Sequence, residues 1–517
     1  MTSEQELPNP IRRLLRDVGY EHETPRPRRI FTNRDLDFEQ VPVVGFDMDY
    51  TLARYRQAEL EALSLEATVS KLVAKGWPEQ LHQVQPDPEF AIRGLLVDTL
   101  KGNLLKMDRH GYVGRVYHGR TMFDRPQRKA IYRSQRVGRE RSRFSYVDTL
   151  FSLPEVTLYA AVVDMIDTQP EAWPDGAPDY ATAWTAVREA IDLAHQDDSI
   201  KSKIRADVAK YFDKDPDLAP TLHKLRSAGK KLFLLTNSYY PYTNVVMSYI
   251  LGDEDDGYDD WASYFDWVVV GSRKPDFFTK TEPFHEIDRS TGLRSDKATA
   301  TPSKHRVYQG GNQMGLQVAL GVSPDEILYV GDHIYGDVVQ SKKTSGWRTV
   351  LIADELEREM RVRADYHVAL EEIRTLSELW EHLSEDVSNQ RYLNRGLELL
   401  RADAVAAEYT KRTQVPMTDV EADALLEGTR ARARERLKRL RAHEDSVGEH
   451  VKLRSVEVDR AFNKYWGSVF AERYDASFFG AQLENYACLY TSRVSNFLYV
   501  SPHRYFRAPH GAMPHWS

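Results

Sequence analysis

Two carboxylates, Asp47 and Asp49 in the stretch Asp47-Met48-Asp49-Tyr50-Thr51, close a short apolar run. At a strand end such a pair projects into one site. There one acid can attack phosphorus while the other donates a proton to the leaving oxygen. The same pattern also serves as an Asx turn, so it gains meaning only from its company. Thr236-Asn237-Ser238 offers a hydroxyl, an amide and backbone donors for phosphate oxygens. It also suits an N-cap, and the two readings are compatible because helix N-termini favour anions. Lys274 can neutralise charge that builds on a phosphoryl group in transfer, or be an ordinary surface lysine. Gly331-Asp332-His333-Ile334-Tyr335-Gly336-Asp337 brings two further acids. Asp332, Asp47 and one main-chain carbonyl would supply the hard oxygen ligands that Mg²⁺ prefers. The candidate metal residues are Asp47, Asp49 and Asp332, with Asp337 as a further acid beside them.

Four of these groups directly follow short runs rich in Val, Leu and Phe. VPVVGF (41–46) ends at Asp47, KLFLL (231–235) at Thr236 and ILYVG (327–331) at Asp332, while WVVV (267–270) is followed by Gly-Ser-Arg-Lys274. A fifth run, TVLIA (349–353), follows Gly-Trp-Arg. Runs of this length and composition fit strands buried on both faces, and the helix-like segments between them predict a parallel α/β sheet. Ligands of such sheets bind beyond the carboxyl ends of the strands, where all four groups would meet. Between Asp47 and Thr236 lies far more chain than one crossover needs, so a cap domain is expected there, with helices near 154–167 and 180–195. The expected layout is a tail at 1–29, a catalytic core at 30–117 and 216–390, and a cap at 118–215. A charged helical segment at 391–454 and a C-terminal segment at 455–517 packing on the core complete it. The stretch around RARARERLKRLRAHED (430–445) reads as an exposed or oligomer-forming helix, with Leu425, Leu437 and Leu440 among charges.

Composition narrows the class. The chain has 517 residues, 41% hydrophobic and 29% charged, and a net charge of −8. The balance argues against nucleic-acid or anionic-membrane partners. Only one cysteine, Cys488, is present, which excludes an intrachain disulfide and fits a reducing compartment. No stretch in the first thirty residues has the apolar core of a signal peptide, and no run approaches the roughly 18 apolar residues of a membrane span. The expected setting is cytoplasmic. Residues 120–143 hold nine Arg or Lys against two acids. They read as a solvated basic face or an anion site for a regulatory nucleotide, with Arg136, Arg139 and Arg141 the residues to neutralise in testing it.

Taken together, the four elements resemble the motifs of the haloacid dehalogenase superfamily. The likeness narrows further. GFDMDYTLARY (45–55), RGLLVDTLKGNLLKMDRHG (93–111), TLFSLPEVTLYAAVVD (149–164), SRKPDFF (272–278), YVGDHIYGDVVQSKKTSGWRT (329–349) and FRAPHGAMPH (506–515) look like the eukaryotic cytosolic purine 5′-nucleotidase and its bacterial relatives. The resemblance runs from about Arg29 to His515. It implies a Rossmann-like core with a parallel sheet and a large cap inserted after the first motif. It also implies a Mg²⁺-dependent hydrolase of purine nucleoside monophosphates, with IMP and GMP preferred and phosphoryl transfer to a nucleoside as a further activity. A nucleotide effector and a homo-oligomer, dimer or tetramer, belong to the same expectation. By the resemblance, Asp47 is the nucleophile and Asp49 the general acid/base; Thr236, Asn237 and Ser238 form the phosphate loop. Lys274 is the charge-neutralising lysine, Asp332 the metal ligand and Asp337 a second acid near it. In the cap, Phe151 stacks on the base, Arg188, Asp192 and His195 recognise it, and Lys201 contacts the ribose or phosphate side. Gln196 departs from the family, which commonly carries an aromatic there. Read without the resemblance, Arg188 and Asp192 are an i,i+4 ion pair, His195 a capping histidine and Phe151 a core residue. Two other outcomes stay open: a catalytically silent nucleotide-binding scaffold of this fold, or a phosphatase of another small ester.

Overall fold

The computed structural model describes residues 24–133, 137, 142–252, 257–339, 345–473, 475–509 and 513–516. Residues 1–23 of the expected tail, and Arg136, Arg139 and Arg141 of the basic segment, lie outside the described residues. The chain divides into two compact units, Met1–Met360 with Ser468–Ser517, and Arg361–Gly467.

The first unit is built on a ten-stranded sheet. Its centre is six strands: β1 (Val43–Phe46), β2 (Lys231–Leu235), β3 (Trp267–Val270), β4 (Val307–Gly310), β5 (Ile327–Gly331) and β6 (Arg348–Ile352). They lie in the order β6-β5-β1-β2-β3-β4, and every pairing among them is parallel. The parallel α/β core read from the apolar runs is therefore present. β1, β3 and β5 are buried along their whole length, as expected of strands covered on both faces. Leu489–Thr491 joins β6 in parallel, Phe31–Thr32 adds antiparallel beyond it, and Phe284–Ile287 with Arg294–Thr299 extends the other edge antiparallel. Phe233, Phe278, Tyr329 and Trp347 fill the layer over the central strands. The strand order reverses at β1, so the crevice beyond its end is the switch point where ligands of open α/β sheets bind.

The long excursion between β1 and β2 forms a cap. It contains a five-stranded antiparallel sheet, in the order Thr121–Met122, Val113–His118, Asn103–Met107, Leu96–Asp98, Phe144–Tyr146. The border expected at 117/118 falls inside this sheet. Three helices accompany it: α1 (Gln57–Ala74), α2 (Leu153–Thr168) and α3 (Tyr180–Gln196). α2 and α3 match the two helical stretches read from the sequence. Pro154 opens α2, and the Asp179 carboxylate caps α3 by accepting from Thr182 N at 2.7 Å.

The second unit is an antiparallel pair of long helices, α4 (His367–Leu399) and α5 (Asp419–Phe462), linked through a shorter helix, Ala402–Thr413. Val362, Ala369, Val458 and Phe462 form its apolar seam. Arg430 of α5 donates to the carbonyls of Leu397 and Leu400, satisfying orphan acceptors where α4 ends. The charged segment read at 391–454 lies within this unit. Leu425 on it is 45% exposed, so part of that face is apolar and open to solvent. Among the described residues no helix is long and apolar enough to cross a membrane.

Candidate active site

Asp47 leaves the end of β1 with its N–H donating to Val330 O at 2.9 Å, so the ladder with β5 carries on into the motif. Thr236 repeats the arrangement beyond β2, donating to Val269 O at 3.0 Å. The loop after β3 is tied across to it. Ser272 N donates to Thr236 O, while Ser272 Oγ and Lys274 N both donate to Asn237 Oδ1, at 2.9 and 2.6 Å. Asn237 Nδ2 returns a bond to Lys274 O at 3.0 Å. Asn237 thus clamps the lysine loop through both polar atoms of its side chain, while Thr236 Oγ1 accepts from Ser238 N at 3.1 Å.

Lys274 is buried, and its ammonium sits 2.9 Å from Asp47 Oδ1, 2.7 Å from Asp337 Oδ1 and 2.8 Å from Tyr329 Oη. Burial lowers its proton affinity, but the two carboxylates outweigh that and hold it charged. Burial pushes Asp47 well above the usual carboxylate range; Lys274 opposes this, and Asp337, Asp332 and Asp49 add to it. Asp332 is driven up to about 7, by burial first and Asp337 second.

These acids are disposed to hold a cation. Asp47, Asp332 and Asp337 each offer a carboxylate oxygen, and the three oxygens lie within 4.8 Å of one another. Asp332 Oδ2 is buried without a hydrogen-bond partner. A divalent ion would give Asp332 Oδ2 a partner and add positive charge, and would favour the ionised forms of Asp47 and Asp332. Asp49, expected among the metal residues, has its carboxylate committed elsewhere: Oδ1 accepts from Tyr55 Oη at 2.6 Å and Oδ2 from Ser238 Oγ at 2.8 Å. Arg93, buried and paired with Glu355, donates to the main-chain carbonyl of Asp332 at 2.7 Å and steadies that loop. His333 stands 3.4 Å from Asp148 of the cap. Burial pulls His333 down, but Asp148, Asp337 and Asp332 outweigh it and bring it to about 9.

The cap residues divide into two groups. Phe151 packs edge-on against Tyr50, Tyr55 and His195, with ring centres 4.8, 5.6 and 6.0 Å away. Burial and then the Lys201 charge pull His195 down to about 4, so its ring is neutral at neutral pH. Lys201 lies over the ring of Tyr242 at 5.5 Å, and Tyr242 Oη is 2.8 Å from Tyr55 Oη. Phe151, His195 and Lys201 are therefore gathered around the side of the site that holds Asp49. Arg188 forms the second group. Its ion-pair partner is Glu155 of α2 at 3.8 Å rather than Asp192, and it also donates to Ser145 Oγ at 3.4 Å. Glu155 is buried and driven up to about 7 by that burial, against the pull of Arg188. Asp192 is exposed on α3.

The 5′ nucleotidase family model matches residues 30–517, nearly the whole chain. The chain belongs to the 5′-nucleotidase family. A 5′-nucleotidase domain-containing protein of Dictyostelium discoideum is 30% identical over 484 residues, covering 91% of this chain and 72% of that one. The human 5′-nucleotidase domain-containing protein 2 is 32% identical over 349 residues, 65% of each chain, so the match spans just under two thirds of that relative. Among solved structures, a Haemophilus somnus protein titled a predicted phosphoglycolate phosphatase aligns at 15% identity with a TM-score of 0.26. The alignment covers 61% of this chain and 86% of that one, and is too slight to bear on the fold.

In this 5′-nucleotidase family chain, several site residues escaped the reading of the sequence. Tyr55 and Arg93 lie inside the motif stretches, and Tyr242 follows Thr236-Asn237-Ser238 closely, but none carries a spacing that announces its partner. Glu155 stands three residues after Ser152 near the start of α2, where an acid is ordinary helix chemistry. Asp148 precedes Thr149, whose hydroxyl accepts from Phe151 N at 3.3 Å, so it reads as a loop acid.

Proposed function

We propose that this protein is a Mg²⁺-dependent 5′-nucleotidase that hydrolyses purine nucleoside 5′-monophosphates, IMP and GMP ahead of AMP, through an aspartyl phosphate on Asp47. The observation that carries this reading is the joining of Asp47, Lys274 and the hydrogen-bonded Asp49 beyond one switch point in a chain of the 5′-nucleotidase family. Asp47 Oδ1 is engaged by Met48 N at 2.8 Å and by Lys274 at 2.9 Å, which leaves Oδ2 to attack phosphorus. As the Oδ2–P bond forms and the P–O5′ bond breaks, Asp49 gives its proton to O5′. Lys274 and the Thr236 hydroxyl offset the charge on the transferring group, while the Ser238 hydroxyl is committed to Asp49. Asp49 then takes a proton from water, which attacks phosphorus, breaks the P–Oδ2 bond and releases inorganic phosphate. A nucleoside hydroxyl in place of water would give phosphoryl transfer. A divalent ion held by Asp47, Asp332 and Asp337 would neutralise phosphate oxygens and orient Asp47.

Phe151 with Tyr50 and neutral His195 offers an aromatic wall for a base. Arg188, held by Glu155, offers a donor fork for an oxo group, with Asp192 four residues on for the N1–H of a 6-oxopurine. Adenine presents the reverse pattern and would set its amino donor against Arg188 and its N1 acceptor against Asp192, a mismatch that lowers affinity. The same reading includes a cytoplasmic setting, a nucleotide effector and a homo-oligomer. Phosphate release over a nucleotide panel, with and without chelator, tests the proposal. IMP and GMP should exceed AMP and the pyrimidine monophosphates in kcat/KM, and chelation should stop turnover. Equal turnover of all bases would sink the purine reading alone; no release from any nucleotide would sink the whole.

A further inference from the structure

Asp49 has to be an acid in one half of the reaction and a base in the other, so its carboxyl must hold one orientation while its proton comes and goes. Two hydroxyls are built around it. Ser238 Oγ belongs to the phosphate loop and donates to Oδ2. Tyr55 Oη donates to Oδ1 at 2.6 Å, which commits the only proton of that phenol. Tyr242 Oη, 2.8 Å away, must then be the donor to Tyr55, so the chain runs in one direction, Tyr242 to Tyr55 to Asp49. Both tyrosines are buried.

The Tyr55 ring is fixed by its surroundings. Tyr50, Phe212 and Phe151 pack on it with ring centres at 4.7, 4.3 and 5.6 Å. Its backbone is held as well, because Arg54–Tyr55 pairs antiparallel with Phe212–Asp213. Tyr242 comes from the helix Tyr240–Leu251 that follows the phosphate loop, so the two linked hydroxyls belong to separate elements.

We propose that Tyr55, aided by Tyr242, is a positioning residue that aims the Asp49 carboxyl at the leaving oxygen. The inference rests on the role assigned to Asp49 under the proposed function. It makes a demand specific to leaving groups. The O5′ of a nucleoside leaves as a poor, strongly basic alkoxide unless it is protonated, so that step needs Asp49 well aimed. p-Nitrophenolate leaves readily without a proton, so its departure does not. Loss of aim should therefore slow the first step for an alkyl ester and spare it for the aryl ester.

The test is rapid-mixing kinetics on the Mg²⁺-loaded wild type, Tyr55→Phe and Tyr242→Phe, with IMP and p-nitrophenyl phosphate. Phenylalanine keeps the ring and its packing and removes only the hydroxyl. In Tyr55→Phe, single-turnover release of inosine is expected to fall about 10- to 100-fold, as loss of orientation typically costs. The p-nitrophenolate burst should stay within about 3-fold and KM for IMP should barely move. Tyr242→Phe should show the same split to a smaller degree, and it decides the matter if Tyr55→Phe does not fold. A nitrophenolate burst slowed as much as inosine release would overturn the inference, because a general structural defect acts on both. Unchanged inosine release in both variants would overturn it too. If the wild type cleaves p-nitrophenyl phosphate but no nucleotide, the proposed function fails instead, and glycerol phosphate serves as the alkyl ester for the same comparison.

Discussion

Lys274 sits between two carboxylates, so its removal has two separable consequences. Lys274→Met would leave Asp47 and Asp337 facing each other in a buried site without their shared cation. Breaking such a buried pair typically costs about 3–5 kcal/mol, and urea titration of the chelated protein should show a loss of that order. Loss of the charge that meets the transferring phosphoryl group should lower kcat by about 10²-fold or more in the Mg²⁺-loaded variant. Asp47→Asn should abolish turnover, since an amide does not attack phosphorus. Asp49→Asn should slow it by roughly 10²- to 10⁴-fold and let a phosphorylated Asp47 accumulate. Mass spectrometry of the quenched Asp49→Asn protein checks this; no adduct together with wild-type-like rates would remove Asp49 from its role. The residues open to such arguments from sequence are those that directly end a buried strand, because the apolar run fixes where they point. Arg93 and Tyr242 were not legible, since each acquires its meaning from a partner far along the chain, Asp332 and Tyr55. Arg188 and Asp192 were legible as neighbours on one helix face, but α2 supplies Arg188 with a closer acid in Glu155.

At the level of elements, the strands read from sequence are those whose apolar runs are continuous: β1, β2, β3, β5 and β6. β4 escaped because Val307–Gly310 ends in Gln and Gly and lacks such a run, and the cap sheet because its longer strands, Asn103–Met107 and Val113–His118, mix polar and charged residues with apolar ones. β1 also carries a constraint that no pattern announces. A Cβ on Gly45 would come within 2.0 Å of the Phe233 ring, which lies against Tyr329 and Trp347. Those rings are buried and have nowhere to retreat. Gly45→Ala should therefore cost about 1–3 kcal/mol by overpacking. Because Tyr329 bonds Lys274, it should also lower kcat, and thermal melts alongside phosphate release test both effects. α1 contributes a pH dependence. Burial pushes the Glu61 carboxyl from 4.5 up to about 7. The folded protein keeps this proton where the unfolded chain has already lost it, so the contribution is full below about 4.5 and disappears as pH rises through about 7. Glu61→Gln should flatten that part of the stability curve, with a difference in slope amounting to about 3 kcal/mol across the window. Parallel curves for the two proteins between pH 5 and 8 would show that Glu61 ionises freely.

For the molecule as a whole, the chain path predicts that the chemistry and the long helical pair are separable. The chain leaves the first unit at Met360 and returns at Ser468. Those points are adjacent, because Ser468 Oγ donates to the Glu359 carboxylate, lying 3.0 and 2.9 Å from its two oxygens, and also accepts from Phe470 N and Ala471 N at 3.1 Å. Every residue assigned to the site, from Asp47 through the cap to Asp337, belongs to the first unit. Joining ends this close with a short Gly/Ser linker in place of residues 361–467 costs little chain entropy, and insertions whose ends meet are the ones that tolerate removal. The shortened protein should fold and melt in one transition. It should also release phosphate from the preferred nucleotide within about 3-fold of the full chain, because neither Lys274 nor the three acids loses a partner. A shortened protein that folds but has lost turnover would mean that the helical pair supports the site. One that does not fold would mean that the first unit depends on it for stability. Retained turnover would show that the pair takes no part in the chemistry.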